Sequence, residues 1–412
     1  MPLAWTMRCC VHLLLSQAAH GEVVWTPFSL DSGPPARAKM GVALSERVGY
    51  LDTQPRLLMF GGCDQTGARN DLWSVDLSVL PLPSIGSESD PSTAGTIDLN
   101  PSKSPAWVEV TAAGSAWPAA RCEHSLTALA DGRVVLFGGT ATEDGTQAAM
   151  NDLWIYHPDT KFTAVAQPAN ISTASCDTDG QAWPYRRYGH ATAALGAAMW
   201  MFGGWISACG QNSVSDELWV FDAGASKWAR QPPRSLRPSA RTSHNAMAYD
   251  SSILVMGGWD GSSPTDDIWT FEPGSQLWAQ LHTANSPAEP GPEKRYGATL
   301  DPIAGGMVLH GGSNRGSGIG DEFFGDLWVF TFPREVKEIS TTTSVRTSYL
   351  PHPHKLHNVL LLSHASAQES LSGSGTKTTT TTTKITPVNK NRWMKITDNS
   401  FSAAPERCAM PV

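Results

Sequence analysis

The sequence lacks the features that mark membrane-spanning and metal-binding proteins. After the N-terminus no apolar run approaches the roughly 18 residues that cross a bilayer, and the run at 359–362 has only four. There is no C-x-x-C pair, and the seven cysteines are too scattered for a zinc site or a dense disulfide framework. We therefore expect no membrane span, no metal site and no cofactor.

Basic residues are scarce in the larger part of the chain. The formal charge is −8, but residues 336–412 hold nine Lys and Arg against four Asp and Glu, leaving 21 against 34 before them. So acidic a region disfavours a nucleic-acid surface. The basic residues after 336 are dispersed among Thr and Ser, as in a solvated linker.

The N-terminal segment supports two interpretations. Residues 1–20 carry one Arg, a short apolar stretch and small residues, which is typical of a weak secretory signal or of an unstructured N-terminus. The compartment, cytoplasmic or secreted, therefore stays open.

Glycine and tryptophan are abundant, with 37 and 16 residues, and they recur in a repeating unit. Each unit has an apolar run that ends in two glycines and, after a variable loop, an acidic residue, an aliphatic residue and Trp or a close equivalent. The five glycine pairs are Gly61-Gly62, Gly138-Gly139, Gly203-Gly204, Gly257-Gly258 and Gly311-Gly312.

Four short segments in each unit have the pattern of β-strands. In the unit around residue 200 they are "HATAAL", "AAMWMFGG", "ELWVFD" and a segment that begins at Trp228. Short strands separated by turn residues predict a four-stranded antiparallel sheet. One such sheet cannot bury both of its faces, so the copies must stack, and radial stacking of twisted sheets gives a β-propeller.

The Arg-x-Gly-His strand, the apolar run into Gly-Gly and the spaced aromatic pair resemble kelch repeats. The resemblance covers 23–333, with a fragment at 392–412. It implies an all-β, kelch-type β-propeller of four-stranded antiparallel blades. We expect 334–391, rich in Thr and Ser, to be a disordered low-complexity insertion.

The repeats leave two numbers of blades open. The segment "VVWTPF" at 23–28 and "RWMKI" at 392–396 match fourth strands, and "APERCAM" at 404–410 matches the start of a further unit. We expect an incomplete six-bladed ring in which 392–412 supplies the last outer strand of blade five and the start of a truncated blade. Five-bladed closure is the alternative.

One propeller face should carry a ring of basic residues. They precede the first strands: Lys39, Arg121, Arg187, Arg241 and Arg295. Such a ring could bind an acidic peptide or a sugar carboxylate, as arginines at this position do in kelch adaptors. Because an acidic residue accompanies each basic one, and a ligand site needs asymmetry, we favour a structural role.

The loops between the second and third strands lie on the same face and are not repeated. They contain residue types that dominate interaction hot spots: Arg69, Trp205, Trp259, Arg315, Phe323 and Phe324. Cys176 and Cys209 should also fall on this face, where they could form a disulfide. Asn170 lies in an Asn-x-Ser sequon that would matter only in a secreted chain.

These features favour a non-catalytic module that binds a protein partner, or a glycan, through the loop face. The alternative from another class is a sugar-modifying enzyme, because some kelch propellers oxidise sugars or isomerise sialic acid. No catalytic constellation is visible in this sequence. A partial gene product is the third interpretation, and the oligomeric state and the partner's identity stay open.

Overall fold

The computed structural model describes most of the repeat region. The described residues are 14–15, 24–25, 33–45, 55–77, 106–111, 116–143, 146–157, 161–168, 182–208, 211–234, 236–282, 291–303, 306–315, 323–332 and 392–395. The chain divides into two compact units, Met1–Thr331 with Arg392–Val412, and Phe332–Asn391. All described strands belong to the first unit. The predicted insertion at 334–391, Asn170, Cys176, Cys209 and the segment 404–410 lie outside the described residues.

Five four-stranded antiparallel sheets, here blades one to five, confirm the predicted all-β fold. Each blade is a meander in which every strand pairs with the next along the chain. The first strands are Gly41–Ser45, Ser125–Ala128, Ala191–Leu195, Asn245–Tyr249 and Thr299–Ile303. The second strands are Arg56–Phe60, Val134–Phe137, Ala198–Phe202, Ser252–Trp259 and Gly306–His310. The third strands are Leu72–Asp76, Leu153–His157, Leu218–Asp222, Pro264–Glu272 and Leu327–Thr331. The fourth strands are Trp107–Val110, Lys161–Val165, Lys227–Arg230, Leu277–His282 and Arg392–Lys395.

The second strands are apolar at successive positions because both of their faces are buried. In blade three, Met199 and Met201 are buried on one face of the sheet, and Trp200 and Phe202 are buried on the other. Period-two alternation sends these pairs to opposite neighbours. A blade is therefore stable only between two other layers.

Hydrophobic clusters between successive blades supply those layers. Val135 and Phe137 of blade two pack in one cluster with Met199, Met201 and Trp219 of blade three. Equivalent clusters join blades one and two and blades three and four. The stacking of sheets that the repeat predicts is thus present in the described residues.

Four smaller sheets of the described residues lie outside the blades, and three of them contain loops that follow second strands. The loop after the second strand forms a hairpin in blade one, Cys63–Asp64 with Gly67–Ala68, and in blade two, Thr140–Glu143 with Thr146–Ala149. In blade three, Trp205–Ala208 and Gln211–Val214 join Arg186–Tyr188 in a three-stranded sheet.

Two residues of the N-terminal segment that matches a fourth strand are described, and they lie in none of the five blades. Val24–Trp25 instead pairs with Leu14–Leu15 in a two-stranded ladder. This pairing differs from the role in blade closure that its sequence suggests. The residue types of this segment match a fourth strand, but they did not predict which strand it pairs with.

Candidate interaction face

The repeated arginine is the centre of a buried ion pair. In blade four, the Arg241 guanidinium donates two parallel hydrogen bonds to the Asp267 carboxylate, at 2.7 and 2.8 Å. It also donates to the backbone carbonyl of Gly257, at 2.9 Å. The indole N–H of Trp269 donates to the same carboxylate at 2.6 Å. The acid-x-Trp spacing thus places the Asp267 carboxylate and the Trp269 indole on the same side of the strand.

The same three side chains form this arrangement in all five blades, and we call them the framework triads. The triads are Arg37, Asp71 and Trp73; Arg121, Asp152 and Trp154; Arg187, Glu217 and Trp219; Arg241, Asp267 and Trp269; and Arg295, Asp326 and Trp328. The arginine side chains are between 0% and 2% exposed. They are therefore not available to a ligand on the surface.

The assignment of Lys39 to this ring is wrong. Arg37 occupies the position in blade one and binds Asp71, whereas Lys39 extends to Glu123 of blade two. In every blade the arginine lies four residues before the first strand, and Arg37 has this spacing to Gly41. A lysine ammonium could not make the two parallel bonds to one carboxylate that the arginines of blades one, two, four and five make.

The carboxylates of the triads stay ionised in the fold. Burial alone would raise the pKa of Asp267, but the hydrogen bonds from Arg241 and Trp269 outweigh it and lower that pKa. The pKa values of the other four acidic residues are lowered for the same reasons. In blade three, the longer Glu217 side chain also reaches Arg230, at 3.2 Å.

The recurring histidines are buried in separate blades. His124 accepts a hydrogen bond from the backbone N–H of Gly41 at 3.2 Å, and His190 pairs with Ser125 Oγ at 3.0 Å. Burial and the charge of Arg241 lower the pKa of His244 to about 3. Each histidine thus contacts or faces the preceding blade as a neutral packing residue.

The Gly-Gly pairs provide the close approach between blades. Gly203 and Gly204 have φ values of 66° and 95°. A Cβ on Gly203 would lie 2.6 Å from the Arg241 carbonyl oxygen, and one on Gly204 would lie 2.8 Å from His190 Cβ. Both positions therefore require glycine.

Aromatic residues lie together on the loop face of blades four and five. The rings of Trp259 and Tyr296 meet edge to face, with centroids 5.8 Å apart. The backbone of Tyr296 bridges to Ser313, which bridges to Phe323. The Arg315 guanidinium lies over the Phe323 ring, 4.8 Å from its centroid, and Phe323 is 40% exposed. We call Trp259, Tyr296, Arg315 and Phe323 the loop patch.

Residues 84–291 match the model of the KLHDC2/KLHL20/DRC7 Kelch-repeats domain. The match covers half of the 412 residues. The chain belongs to the kelch-repeat family. The four-stranded blades and the framework triads are thus the structure of its kelch repeats.

Among curated proteins, this kelch chain is similar to Kelch domain-containing protein 3 of Bos taurus, with 25% identity over 337 residues, 77% of each chain. The Homo sapiens protein of that name is 27% identical over 313 residues, 72% of this chain and 71% of the relative. The dynein alpha chain of the flagellar outer arm of Chlamydomonas reinhardtii is 31% identical over 157 residues, 38% of this chain but only 3% of the dynein.

The other candidate residues of the loop face have partners within their own kelch repeats. Arg69 donates to Asp64 at 2.7 Å in the blade-one hairpin. The Phe324 ring lies under the buried Arg295 guanidinium, 4.0 Å away. Trp205 is half-buried and pairs across strands with Tyr188. The structure thus groups Trp259, Arg315 and Phe323 and separates the other three from them.

A disulfide that sequence reasoning missed joins the first two kelch blades. Cys63 and Cys122 are bridged, with their Cα atoms 5.6 Å apart. Cys63 directly follows the glycine pair of blade one, and Cys122 directly follows Arg121 of blade two. At the next junctions these positions hold Thr140 and Tyr188, and then Trp205 and Thr242. Alignment of the repeats could have found the pair once the blades were stacked.

The described residues contain no group of three or more His, Cys, Asp or Glu side chains placed to hold a metal ion. Nor does any helix in this part of the chain have the length and apolar character to cross a membrane.

Proposed function

We propose that this kelch chain is a non-catalytic binding module that engages a protein partner through the loop patch. The observation that carries the proposal is a contrast on one face. The repeated arginines are buried and paired with carboxylates, whereas Phe323 and Arg315, the unrepeated residues of the loop patch, lie at the surface. Tryptophan, tyrosine and arginine are the residues that most often dominate the energy of protein interfaces.

The geometry of the patch favours this role over simple coverage of its loops. The Arg315 guanidinium lies over the Phe323 ring, so a planar cation and an aromatic surface are presented together. Trp259 is held by Tyr296 of the next blade. Because side chains fixed by neighbours lose little entropy on binding, they are suitable anchors.

The test places a photo-crosslinking amino acid at position 323 and, as a control, at the exposed Leu277 of the blade-four outer strand. Proteins crosslinked at 323 but not at 277 are expected, and the double variant W259A/R315A should remove them. W205A is the matched control, because Trp205 follows the glycine pair of blade three as Trp259 does in blade four.

Two results would count against the loop patch. Crosslinked partners that persist in W259A/R315A, with the fold intact by circular dichroism, would exclude it as the site. Equal loss in W205A would show that the loops act only through the stability of the face.

A further inference from the structure

Three backbone hydrogen bonds recur at every junction between blades. At the junction of blades four and five, the N–H of Gly258 donates to the Arg295 carbonyl at 3.0 Å. The N–H of Arg295 donates to the Thr265 carbonyl at 3.2 Å, and the N–H of Gly297 donates to the Ser243 carbonyl at 2.9 Å. The three preceding junctions have the same set, at 2.7 to 3.0 Å. These three bonds are therefore the set that joins each blade to the next.

Blade five has the three backbone groups that, in blades one to four, form these bonds with the following blade. Its three groups are the N–H of Gly312, the carbonyl of Phe324 and the carbonyl of Gly297, which correspond to Gly258, Thr265 and Ser243 in blade four. Within the described part of the chain, no backbone group completes the set. In every earlier junction the equivalent groups are bonded to the next blade, so these three positions favour a further segment.

Blade one does not complete the set on blade five. Val42 and Leu44 of its first strand are 47% and 51% exposed on the face that points away from blade two. Leu126, which is equivalent to Val42 but is covered by blade one, is only 7% exposed. The described residues thus contain no direct contact of the kind that joins successive blades between blade five and blade one.

The segment 405–410, "PERCAM", matches what blade five lacks. It has the Pro-x-Arg-x-x-Met pattern of residues 35–40, which lead into the first strand of blade one. Trp393 of the last strand and Arg407 are 14 residues apart, the same separation as between Trp107 and Arg121. The connection therefore has the length that carries blade one into blade two.

We propose that segment 405–410 docks on blade five as the entrance to a further blade. The N–H of Gly312 donates to the carbonyl of Arg407, and the N–H of Arg407 donates to the carbonyl of Phe324. The N–H of Ala409 donates to the carbonyl of Gly297. The docked segment lies beside Phe323, so it borders the loop patch.

The disulfide of the first junction provides the test. Cys63 follows the glycine pair of one blade and bonds to Cys122, which follows the arginine of the next. On blade five the first position is Ser313, and after Arg407 the second is Cys408. If the segment docks, an S313C variant of the full chain has its new thiol within bridging distance of Cys408.

The S313C protein would be oxidised mildly, and its non-reduced peptides would be analysed by mass spectrometry. A bridge from position 313 to Cys408 in most molecules is expected, with none in S313C/C408S. The S251C variant is the control for random capture, because Ser251 is exposed in the turn that precedes the second strand of blade four. A folded S313C whose new thiol stays free, or pairs with another cysteine, would overturn the proposal.

If S313C does not fold, hydrogen exchange tests whether segment 405–410 docks on blade five. In the otherwise unaltered chain, the Gly312 amide should exchange at least about tenfold more slowly than in a chain without residues 404–412. The Gly258 amide, already bonded to Arg295, should exchange equally in both. Equal exchange at Gly312 with and without the segment would contradict docking.

Discussion

Arg241 and Arg315 lie on the loop face of neighbouring blades but have different environments. Arg241 is 0% exposed, and its guanidinium binds Asp267 and two backbone carbonyls. Arg315 is partly exposed, and its guanidinium lies over an exposed phenylalanine. The first position is repeated in every blade and the second is not. The comparison indicates that repeated residues on this face maintain the fold, whereas the unrepeated Arg315 is the residue for which we propose a binding role.

The largest expected effect is the loss of a framework arginine. R241A removes two hydrogen bonds from the Asp267 carboxylate and leaves it without its cationic partner, with Trp269 still donating to it. An uncompensated buried charge costs about 3 to 5 kcal/mol. Urea denaturation should show a loss of that size in the free energy of unfolding.

R69A is the matched control for that experiment. Arg69 also pairs with an aspartate on the loop face, but its side chain is 40% exposed. Loss of such a pair costs about 1 kcal/mol or less. Equal losses in the free energy of unfolding of the two variants would show that the framework and loop ion pairs contribute equally to stability.

The sequence predicted the framework well because its spacing is strict. The glycine pairs, the acid-x-Trp segments and four of the five arginines could be located from the repeats alone. Arg37 was missed because Met40 stands where blades two to four have histidine. Without that histidine to fix the alignment, Lys39 seemed equivalent to the arginines.

The loop patch and the disulfide were harder to predict because both depend on contacts between blades. Trp259 meets Tyr296 of the next repeat, and Cys63 and Cys122 are 59 residues apart. Side chains so distant in sequence become neighbours only through the register of the stacked sheets. Residue type identified the candidates, but it did not indicate which of them would meet.

The disulfide should contribute the next largest effect. By the chain-entropy model, a bridge across 59 residues stabilises the fold by up to about 4 kcal/mol, and measured values of about 2 to 4 kcal/mol are typical. C63S/C122S should lose an amount in that range on urea denaturation. Reductant should destabilise the wild-type protein and leave this variant unchanged.

A wild-type protein that reductant destabilises no more than C63S/C122S would contradict this assignment. The second junction, where Thr140 and Tyr188 hold the two positions, forms the same backbone bonds without a bridge. Retention of the fold after reduction is therefore expected, with a lower midpoint rather than a loss of the blades.

The smallest expected effect, measured per pH unit, concerns the buried histidines, through the pH dependence of stability. The pKa values of His124 and His244 are lowered from 6.5 to about 3, chiefly by burial and then by the neighbouring arginines. Below pH 6.5 the unfolded chain therefore binds protons that the folded chain does not. The contribution of these histidines to stability is full above pH 6.5 and falls between 6.5 and about 3, by about 1 kcal/mol per pH unit for each histidine.

Urea denaturation at pH 7.5, 6.5, 5.5 and 4.5 would measure this slope. Blade one has Met40 at the equivalent position, so H244M is a replacement that the fold already contains. The variant should lose about one histidine's share of the slope below pH 6.5, since a methionine binds no proton in either state. Parallel pH profiles for wild type and H244M would show that His244 is not held neutral by the fold. Any pH dependence that remains between pH 6.5 and 5.5 would then belong to groups other than His244 and the triad carboxylates. Those carboxylates, whose pKa values are lowered in the fold, change the stability only below about pH 5.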